Sequence, residues 1–184
     1  MEVLEMKSVE TDLDINIGLS QEKRKKITKR LTQLLADEQI LYTKLRNYHW
    51  NVMGLHFNSL HAFFEEQYTA LFTITDEIAE RIRSLGFYSV GSMKAFLKNS
   101  RLEESPNLEG DGIEMLKHLL ADHASIIRSL REDIDATSKL GDEGTADFMI
   151  GIMANHEKFA FMAPAWVESD LRVCYLTEQF RQRD

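Results

Sequence analysis

The sequence contains few of the residues that interrupt helices or cross-link a chain. Two prolines and nine glycines are spread over 184 residues, of which 43% are hydrophobic and 28% are charged. This composition favours long helices over a loop-rich or all-β fold, and the length suits one domain with a sizeable core. The single cysteine, Cys174, excludes an intramolecular disulfide and is compatible with a reducing cytosol.

Long apolar runs and excess positive charge are also missing. The longest apolar run, residues 148–154, is far shorter than the ~20 residues that span a bilayer, so we expect no membrane segment. Residues 1–20 lack a basic stretch followed by an apolar one, so no secretory signal is expected and a cytoplasmic location is favoured. The formal net charge of −8 disfavours binding to nucleic acid or to an anionic membrane.

One local basic cluster is the exception to this acidic balance. It consists of Lys23, Arg24, Lys25, Lys26, Lys29 and Arg30. A solvated helix face is the favoured interpretation of such a run, and a DNA contact is the alternative. Residues 1–20 hold five acids and one lysine, so we expect weak or absent DNA binding at neutral pH.

Apolar residues recur at intervals of three, four and seven in four long segments, which predicts an all-α fold. The residues expected to be buried are, in the first segment, Ile27, Leu31, Leu34, Leu41, Leu45, Tyr48 and Val52; in the second, Leu60, Phe64, Leu71, Ile74, Ile78, Ile82 and Leu85; and in the third, Ile113, Leu116, Leu120, Ile127, Leu130 and Ile134. The four helices are expected over residues 20–53, 57–86 and 113–138 and from near Thr145, with Ser20 as the first N-cap. Pro164 should kink or end the last helix. A short helix is expected over residues 93–97, in the long connection between the second and third helices. The predicted organisation is an arm (1–19), a four-helix bundle (20–168) and a C-terminal tail (169–184).

The second helix carries a polar stripe with candidate metal ligands at both ends, which we call the ligand stripe. It consists of His61, Glu65, Asp76 and Glu80, which fall within a sector of about 100°. His61 and Asp76 are nevertheless about 22 Å apart along the helix axis, at ~1.5 Å per residue. One metal ion cannot contact both ends of the stripe within one chain.

A two-fold axis would resolve this separation. A second copy packed antiparallel about a point near Leu71 would set His61 opposite Glu80 and Glu65 opposite Asp76, creating two identical sites. His49 lies on the other side of the turn between the first two helices, so a hairpin brings it level with His61. The spacing therefore predicts a two-histidine, two-carboxylate site shared between chains.

Imidazole nitrogen and carboxylate oxygen without thiolate match Fe(II), Mn(II) or Zn(II). The Glu-x-x-His element of many di-iron bundles is absent, because no histidine has a glutamate three residues earlier. This absence argues against an ordinary ferritin with its metal site inside one bundle.

The residues around these ligands resemble a known family. The segment His49-Trp50-Asn51-Val52-Met53-Gly54, followed by Leu60-His61, Phe64-Glu65 and the acidic residues Asp76 and Glu80, is similar in order and spacing to the Dps family, or mini-ferritins. The resemblance extends over residues 20–167. It implies a ferritin-like four-helix bundle and a hollow homododecamer with tetrahedral symmetry.

The resemblance also implies an activity. The dodecamer would oxidise Fe(II), preferably with H2O2 although O2 is the alternative oxidant, at ferroxidase centres between subunits. It would store ferric mineral in its cavity and protect against oxidative damage. The first alternative is a nucleoid-associated DNA-binding protein with secondary metal binding. The second is an assembly that binds zinc or manganese without redox turnover.

Residue roles follow from the same resemblance. His49 and His61 of one chain, with Asp76 and Glu80 of its neighbour, would hold two irons per centre as substrate, and zinc or manganese could replace them. Glu65 would be an accessory ligand or would orient a water molecule. Trp50 would lie beside the metals and intercept stray oxidising equivalents, and the alternative is that it is a simple core aromatic.

The start of the last helix resembles the segment that lines the three-fold pore in this family. Glu143 and Asp147 would form acidic rings that attract cations, and Asp142 is a weaker candidate. The alternative is that these acids only stabilise the helix N-terminus through its dipole.

The remaining histidines are assigned mainly structural roles. His56 is expected to be structural in its turn, and His118 and His123 are expected at the surface or at an interface. His156 lies on an apolar helix, where a position in the core or behind the metal ligands is favoured over a ligand role.

Overall fold

The structure is a computed structural model that describes residues 15–104 and 112–181, with side chains in the last helix described as far as residue 162. The described residues form five helices and no strand, which confirms the all-α prediction. The helices are α1 (Gln21–Asn51), α2 (Phe57–Ser84), α3 (Met93–Asn99), α4 (Gly112–Lys139) and α5 (Glu143–Arg181). None of the described helices is both long enough and apolar enough to cross a membrane.

The four long helices form a bundle of two hairpins. A short turn makes α2 double back on α1, and another makes α5 double back on α4. α1 also packs on α4, and α2 contacts α5. The crossover between the hairpins contains the predicted short helix, α3, which packs against α1.

Capping residues define the ends of the first two helices. The Ser20 hydroxyl accepts a hydrogen bond from the Lys23 backbone N–H at 3.4 Å, as expected for an N-cap. After α2, Gly86 has φ +90° and its N–H donates to the Arg83 carbonyl, while the Phe87 N–H donates to the Ile82 carbonyl. This Schellman motif needs a residue with the left-handed backbone conformation, which explains the glycine at position 86.

The predicted apolar stripes of α1 and α2 are buried in the core. In α2 these residues are Leu60, Phe64, Leu71, Ile74, Ile78, Ile82 and Leu85. For α4 the prediction was right for Leu116 and Leu130, which are buried, and wrong for the other four apolar residues. Its buried stripe is Leu116, Leu119, His123, Ile126, Leu130, Asp133 and Thr137. Ile113, Leu120, Ile127 and Ile134, which we expected to be buried, are only partly so.

The last helix is longer than the sequence suggested. It begins at Glu143, two residues before Thr145, and continues past Pro164 to Arg181. The proline therefore does not end the helix, because a single missing N–H donor penalises a helix without forbidding it. The limits of the bundle at residue 168 and of the tail remain predictions, and most of the predicted N-terminal arm lies outside the described residues.

An ion-pair network fastens the crossover to the bundle. Asp37 of α1 is fully buried and accepts hydrogen bonds from the backbone N–H and from Nε of Arg101, at 2.6 and 2.7 Å. Arg101 Nη1 also donates to Asp133 of α4 at 2.9 Å, and Asp133 pairs with Arg30. Arg101, two residues after α3, therefore joins the crossover to both hairpins.

Candidate metal centre

The turn between α1 and α2 brings two histidines together. His49 lies in the last turn of α1 and His61 in the second turn of α2. Their rings stack with centroids 3.6 Å apart and planes 23° apart. The hairpin thus sets both imidazoles at one level, as the spacing predicted.

Two reciprocal hydrogen bonds fix the tautomer of each ring. His49 Nδ1 donates to the His61 backbone carbonyl at 2.9 Å, and His61 Nδ1 donates to the His49 carbonyl at 2.7 Å. A carbonyl oxygen only accepts, so the proton of each neutral imidazole is on Nδ1. Each Nε2 therefore keeps its lone pair, which is the form that binds a metal ion.

The carboxylates of the ligand stripe lie on the exposed side of α2. Glu65, Asp76 and Glu80 are all solvent-exposed in the single chain. The Tyr68 hydroxyl donates to Glu65 Oε1 at 3.2 Å. Within the described part of one chain, no three His, Cys, Asp or Glu side chains are grouped so that they could hold a metal ion. The chain thus presents an imidazole half-site and, about 22 Å along α2, a carboxylate half-site.

Aromatic and cationic side chains surround the imidazole half-site. Phe57 stacks on His61 with ring centroids 5.1 Å apart, and Tyr68 meets His49 edge-on at 5.2 Å. The Arg46 guanidinium lies 4.8 Å from the centre of the Trp50 ring. Trp50 itself is 63% exposed.

Four polar side chains, one from each long helix, meet in the bundle core. They are Glu38 of α1, Gln67 of α2, His123 of α4 and His156 of α5, and all are buried. His123 bonds to Gln67 Oε1 at 2.9 Å and to His156 Nδ1 at 2.8 Å, and His156 bonds to Glu38 at 2.8 Å. We call this chain of side chains the core quartet.

The core quartet corrects one expectation and confirms another. His123 is not at the surface as predicted, whereas His156 does occupy a core position and His118 is exposed. Burial, and secondarily the neighbouring His156, hold the pKa of His123 well below its usual range. The sequence signal that was missed is the spacing of His123, which places it on the same helix face as the buried Leu119, Ile126 and Leu130.

The three acids proposed for the pore differ in their surroundings. Asp142 is buried and accepts hydrogen bonds from the Thr145 backbone N–H at 3.0 Å and from Arg81 Nη2 at 3.2 Å. This geometry makes it the cap of α5 and favours the capping interpretation for this residue. Glu143 and Asp147 are exposed in the first two turns of α5.

Comparison with known proteins agrees with this fold. The Ferritin-like domain family matches residues 28–172. A low temperature-induced protein of Nostoc sp. is 42% identical over 155 residues, which cover 84% of this chain and 87% of the relative. The DNA protection during starvation protein 2 of Bacillus anthracis is 36% identical over 144 residues, covering 78% of this chain and 97% of the relative.

A solved structure has the same fold. The Dps protein of Vibrio cholerae O1 superposes with a TM-score of 0.79 at 32% identity, covering 88% of this chain and 99% of the other. The helical bundle and the family match make this chain a ferritin-like protein. Within that class it belongs to the Dps family, the mini-ferritins.

Proposed function

We propose that this protein oxidises Fe(II) at centres shared between two subunits and stores the ferric product inside a hollow homododecamer. The observation that carries the proposal is the stacked His49–His61 pair, whose Nδ1 atoms are engaged and whose Nε2 lone pairs are free. The name of the Bacillus anthracis relative refers to DNA protection, and the Vibrio cholerae structure is described as a ferritin-like diiron-carboxylate protein. Both support a general role in iron handling and protection.

The ligand stripe has the symmetry that a shared site requires. Positions 61 and 80, and likewise positions 65 and 76, are centred between Ala70 and Leu71. An antiparallel copy of α2 would therefore bring Asp76 and Glu80 of the neighbour to His49 and His61, with Glu65 close by as an accessory group.

Exposed apolar side chains lie on α2 and in the turn that precedes it. Phe72, within the stripe, is 65% exposed, and Leu55 and Met53, in the adjacent turn, are 80% and 69% exposed. Large apolar side chains that are exposed in one chain are typical of surfaces that another subunit covers. The two-fold contact would therefore bury these side chains while it completes both centres.

The proposed centre suits a two-electron reaction. Two Fe(II) ions, bound as substrate, supply two electrons to one H2O2, and with two protons the products are two Fe(III) and two water molecules. Paired oxidation avoids the one-electron reduction of H2O2 that releases hydroxyl radical. Zinc or manganese would occupy the same ligands without this turnover.

Iron uptake through acidic pores is a further part of the proposal. Glu143 and Asp147 are exposed about one helical turn apart, so three copies around a three-fold axis would present two acidic rings. Asp142 contributes less, because its carboxylate caps α5 and pairs with Arg81.

A DNA-binding function has weaker support. In the basic cluster, Arg24 donates to the Leu85 carbonyl, Lys26 pairs with Glu22, and Arg30 pairs with Asp133. These contacts reduce the charge that is free to neutralise phosphates. Nothing else in the described residues favours this alternative over iron oxidation.

An anaerobic Fe(II) titration followed by H2O2 tests the proposal. The double variant His61→Ala, Asp76→Ala removes one ligand from each half-site and should lower the rate of Fe(II) oxidation by more than about 10-fold while the protein remains assembled. The matched control is His118→Ala, Glu77→Ala, which removes an exposed histidine and an exposed acid outside the ligand set. Fast oxidation in the first variant would refute the proposal.

A further inference from the structure

The core quartet connects the two hairpins of the bundle. Glu38 and Gln67 belong to the α1–α2 hairpin, whereas His123 and His156 belong to the α4–α5 hairpin. Three hydrogen bonds form one line, between Glu38 and His156, between the two histidines, and between His123 and Gln67. All four side chains are at most 1% exposed, so water does not compete for these bonds.

The number of protons in this line follows from its bonds. Gln67 faces His123 with Oε1, which only accepts, so His123 Nε2 donates to it. Burial keeps the pKa of His123 well below its usual range, so this ring is neutral and its Nδ1 accepts from His156 Nδ1. The third bond, between His156 Nε2 and Glu38 Oε1, then needs a proton that neither neutral imidazole can supply.

We propose that Glu38 supplies this proton: it is a neutral carboxylic acid in the folded chain, and its O–H group completes the contact between the hairpins. The ligand that the core quartet binds is thus one proton, taken up from solvent when the chain folds. This inference does not rest on the proposed function, because none of the candidate iron ligands belongs to the core quartet.

The surroundings of Glu38 suit a neutral acid better than a carboxylate. Its Oε2 is buried and has no hydrogen-bond partner among the described residues. The adjacent Asp37 is equally buried but accepts hydrogen bonds from the Ser100 hydroxyl, the Arg101 backbone N–H and Arg101 Nε, at 3.1, 2.6 and 2.7 Å. A buried charge needs such partners. Transfer of the proton to His156 would create two buried charges, one of them on a carboxylate with a single hydrogen bond.

The charged groups around the core quartet do not supply a cation for Glu38. Those that lie next to its members on the long helices form pairs of their own: Asp37 with Arg101, Asp122 with Lys44, Glu157 with Arg131, and Glu66 with Lys158. The short helix α3, which packs on α1, buries only Phe96. Among these groups only His156 is left to face Glu38.

The proton on Glu38 should make the contact between the hairpins sensitive to alkaline pH. Above about pH 6.5 an unfolded chain leaves both histidines mostly neutral and Glu38 ionised, so it binds fewer protons than the folded chain. Stability is therefore lost as pH rises through this range. Protonation of His123 acts in the opposite direction, at lower pH.

Infrared spectroscopy of the assembled protein tests the protonation of Glu38. Protonated carboxyl groups and carboxylates absorb at different frequencies, and exposed Asp and Glu side chains are ionised at about pH 7. We expect a protonated-carboxyl band at this pH that Glu38→Gln removes. The introduced amide can donate to His156 Nε2 in place of the acid, so this variant should fold and assemble.

The matched control is Glu132→Gln, which changes an exposed acid of α4 and should retain the band. Absence of the band from the parent, or an equal band in the parent and Glu38→Gln, would overturn the proposal.

The histidine tautomers provide a second measurement that needs no variant. Magic-angle-spinning NMR of the sedimented assembly, with 15N-labelled histidine, distinguishes a ring protonated at Nδ1 from one protonated at Nε2. We expect the proton of His156 on Nδ1 and that of His123 on Nε2. The reverse pair of tautomers would mean that Gln67 donates through its amide and that Glu38 accepts as a carboxylate, which would refute the proposal.

Thermal denaturation tests whether the proton on Glu38 contributes to stability. Between about pH 7.5 and about pH 9.5 the melting temperature of the parent should fall further than that of Glu38→Gln, because the amide has no proton to lose in this range. Glu132→Gln should follow the parent. An equal fall in the parent and Glu38→Gln would show that folding does not take up this proton.

Discussion

At the residue scale, the hydrogen bonds of individual nitrogen atoms decide what each histidine can do. In the His49–His61 pair one nitrogen of each ring is used and the other is free. In the core quartet both nitrogens of His123 and both of His156 have partners. The same residue type therefore supplies candidate metal ligands at one end of the hairpin and a closed polar contact between helices in the core.

The core quartet should make stability depend on pH. Because burial lowers the folded-state pKa of His123, the folded chain leaves it neutral at pH values where the unfolded chain protonates it. The unfolded state then binds more protons, so stability is lost as pH falls below about 6.5, by up to about 1.4 kcal/mol per pH unit. We expect His123→Gln to show a smaller loss of melting temperature between about pH 7.5 and about pH 5.5 than the parent.

An exposed histidine supplies the control for this measurement. His118→Gln changes a surface residue of the same helix and should leave the pH dependence as in the parent. His123→Gln should also be less stable at neutral pH, since a buried partner of His156 is altered. A melting temperature that falls equally with pH in His123→Gln and the parent would contradict the assignment.

At the element scale, apolar periodicity predicted the buried face of a helix correctly where the buried positions are all apolar. All seven apolar residues predicted to line one face of α2 are buried. In α4 the buried positions include His123, Asp133 and Thr137, and of the six apolar residues expected in the core only Leu116 and Leu130 are buried. Polar residues enter the core there because side chains from distant segments satisfy them, and the local sequence does not reveal such partners.

The crossover shows the same limit on sequence reasoning. Its length and its short helix were predicted, but its attachment through Asp37, Arg101 and Asp133 depends on residues more than thirty positions apart. No spacing rule relates these positions, because the three residues come from different segments that the tertiary fold brings together.

Removing Arg101 should therefore destabilise the whole bundle. Arg101→Ala leaves the fully buried Asp37 without its cationic partner, which should cost about 2 to 4 kcal/mol of unfolding free energy. The matched control is Arg131→Ala, whose exposed pair with Glu157 should contribute less than about 1 kcal/mol. Urea denaturation of both variants measures the difference, and equal losses would show that the crossover is not held by this network.

At the scale of the whole molecule, one chain presents the two separate halves of the proposed site. The separation of the ligand stripe into two ends, and its symmetry about Leu71, could be read from the sequence because both follow from helix geometry alone. The number of subunits could not be read in this way. Residues on one helix are enough to predict a two-fold contact, whereas the twelve-subunit closure depends on angles between further surfaces and is proposed from the family.

Mixed assemblies test the sharing of ligands between subunits. The variants His61→Ala and Asp76→Ala damage opposite half-sites, so each homogeneous assembly should be inactive. In a dimer of the two, one centre combines both defects while the other combines an intact His61 with an intact Asp76 of the neighbour. Random reassembly of equal amounts should therefore restore roughly a quarter of the parental centres. The measurement is the amplitude of rapid Fe(II) oxidation by H2O2 after co-refolding. A site contained within one chain would recover nothing, because every chain in the mixture carries one defect.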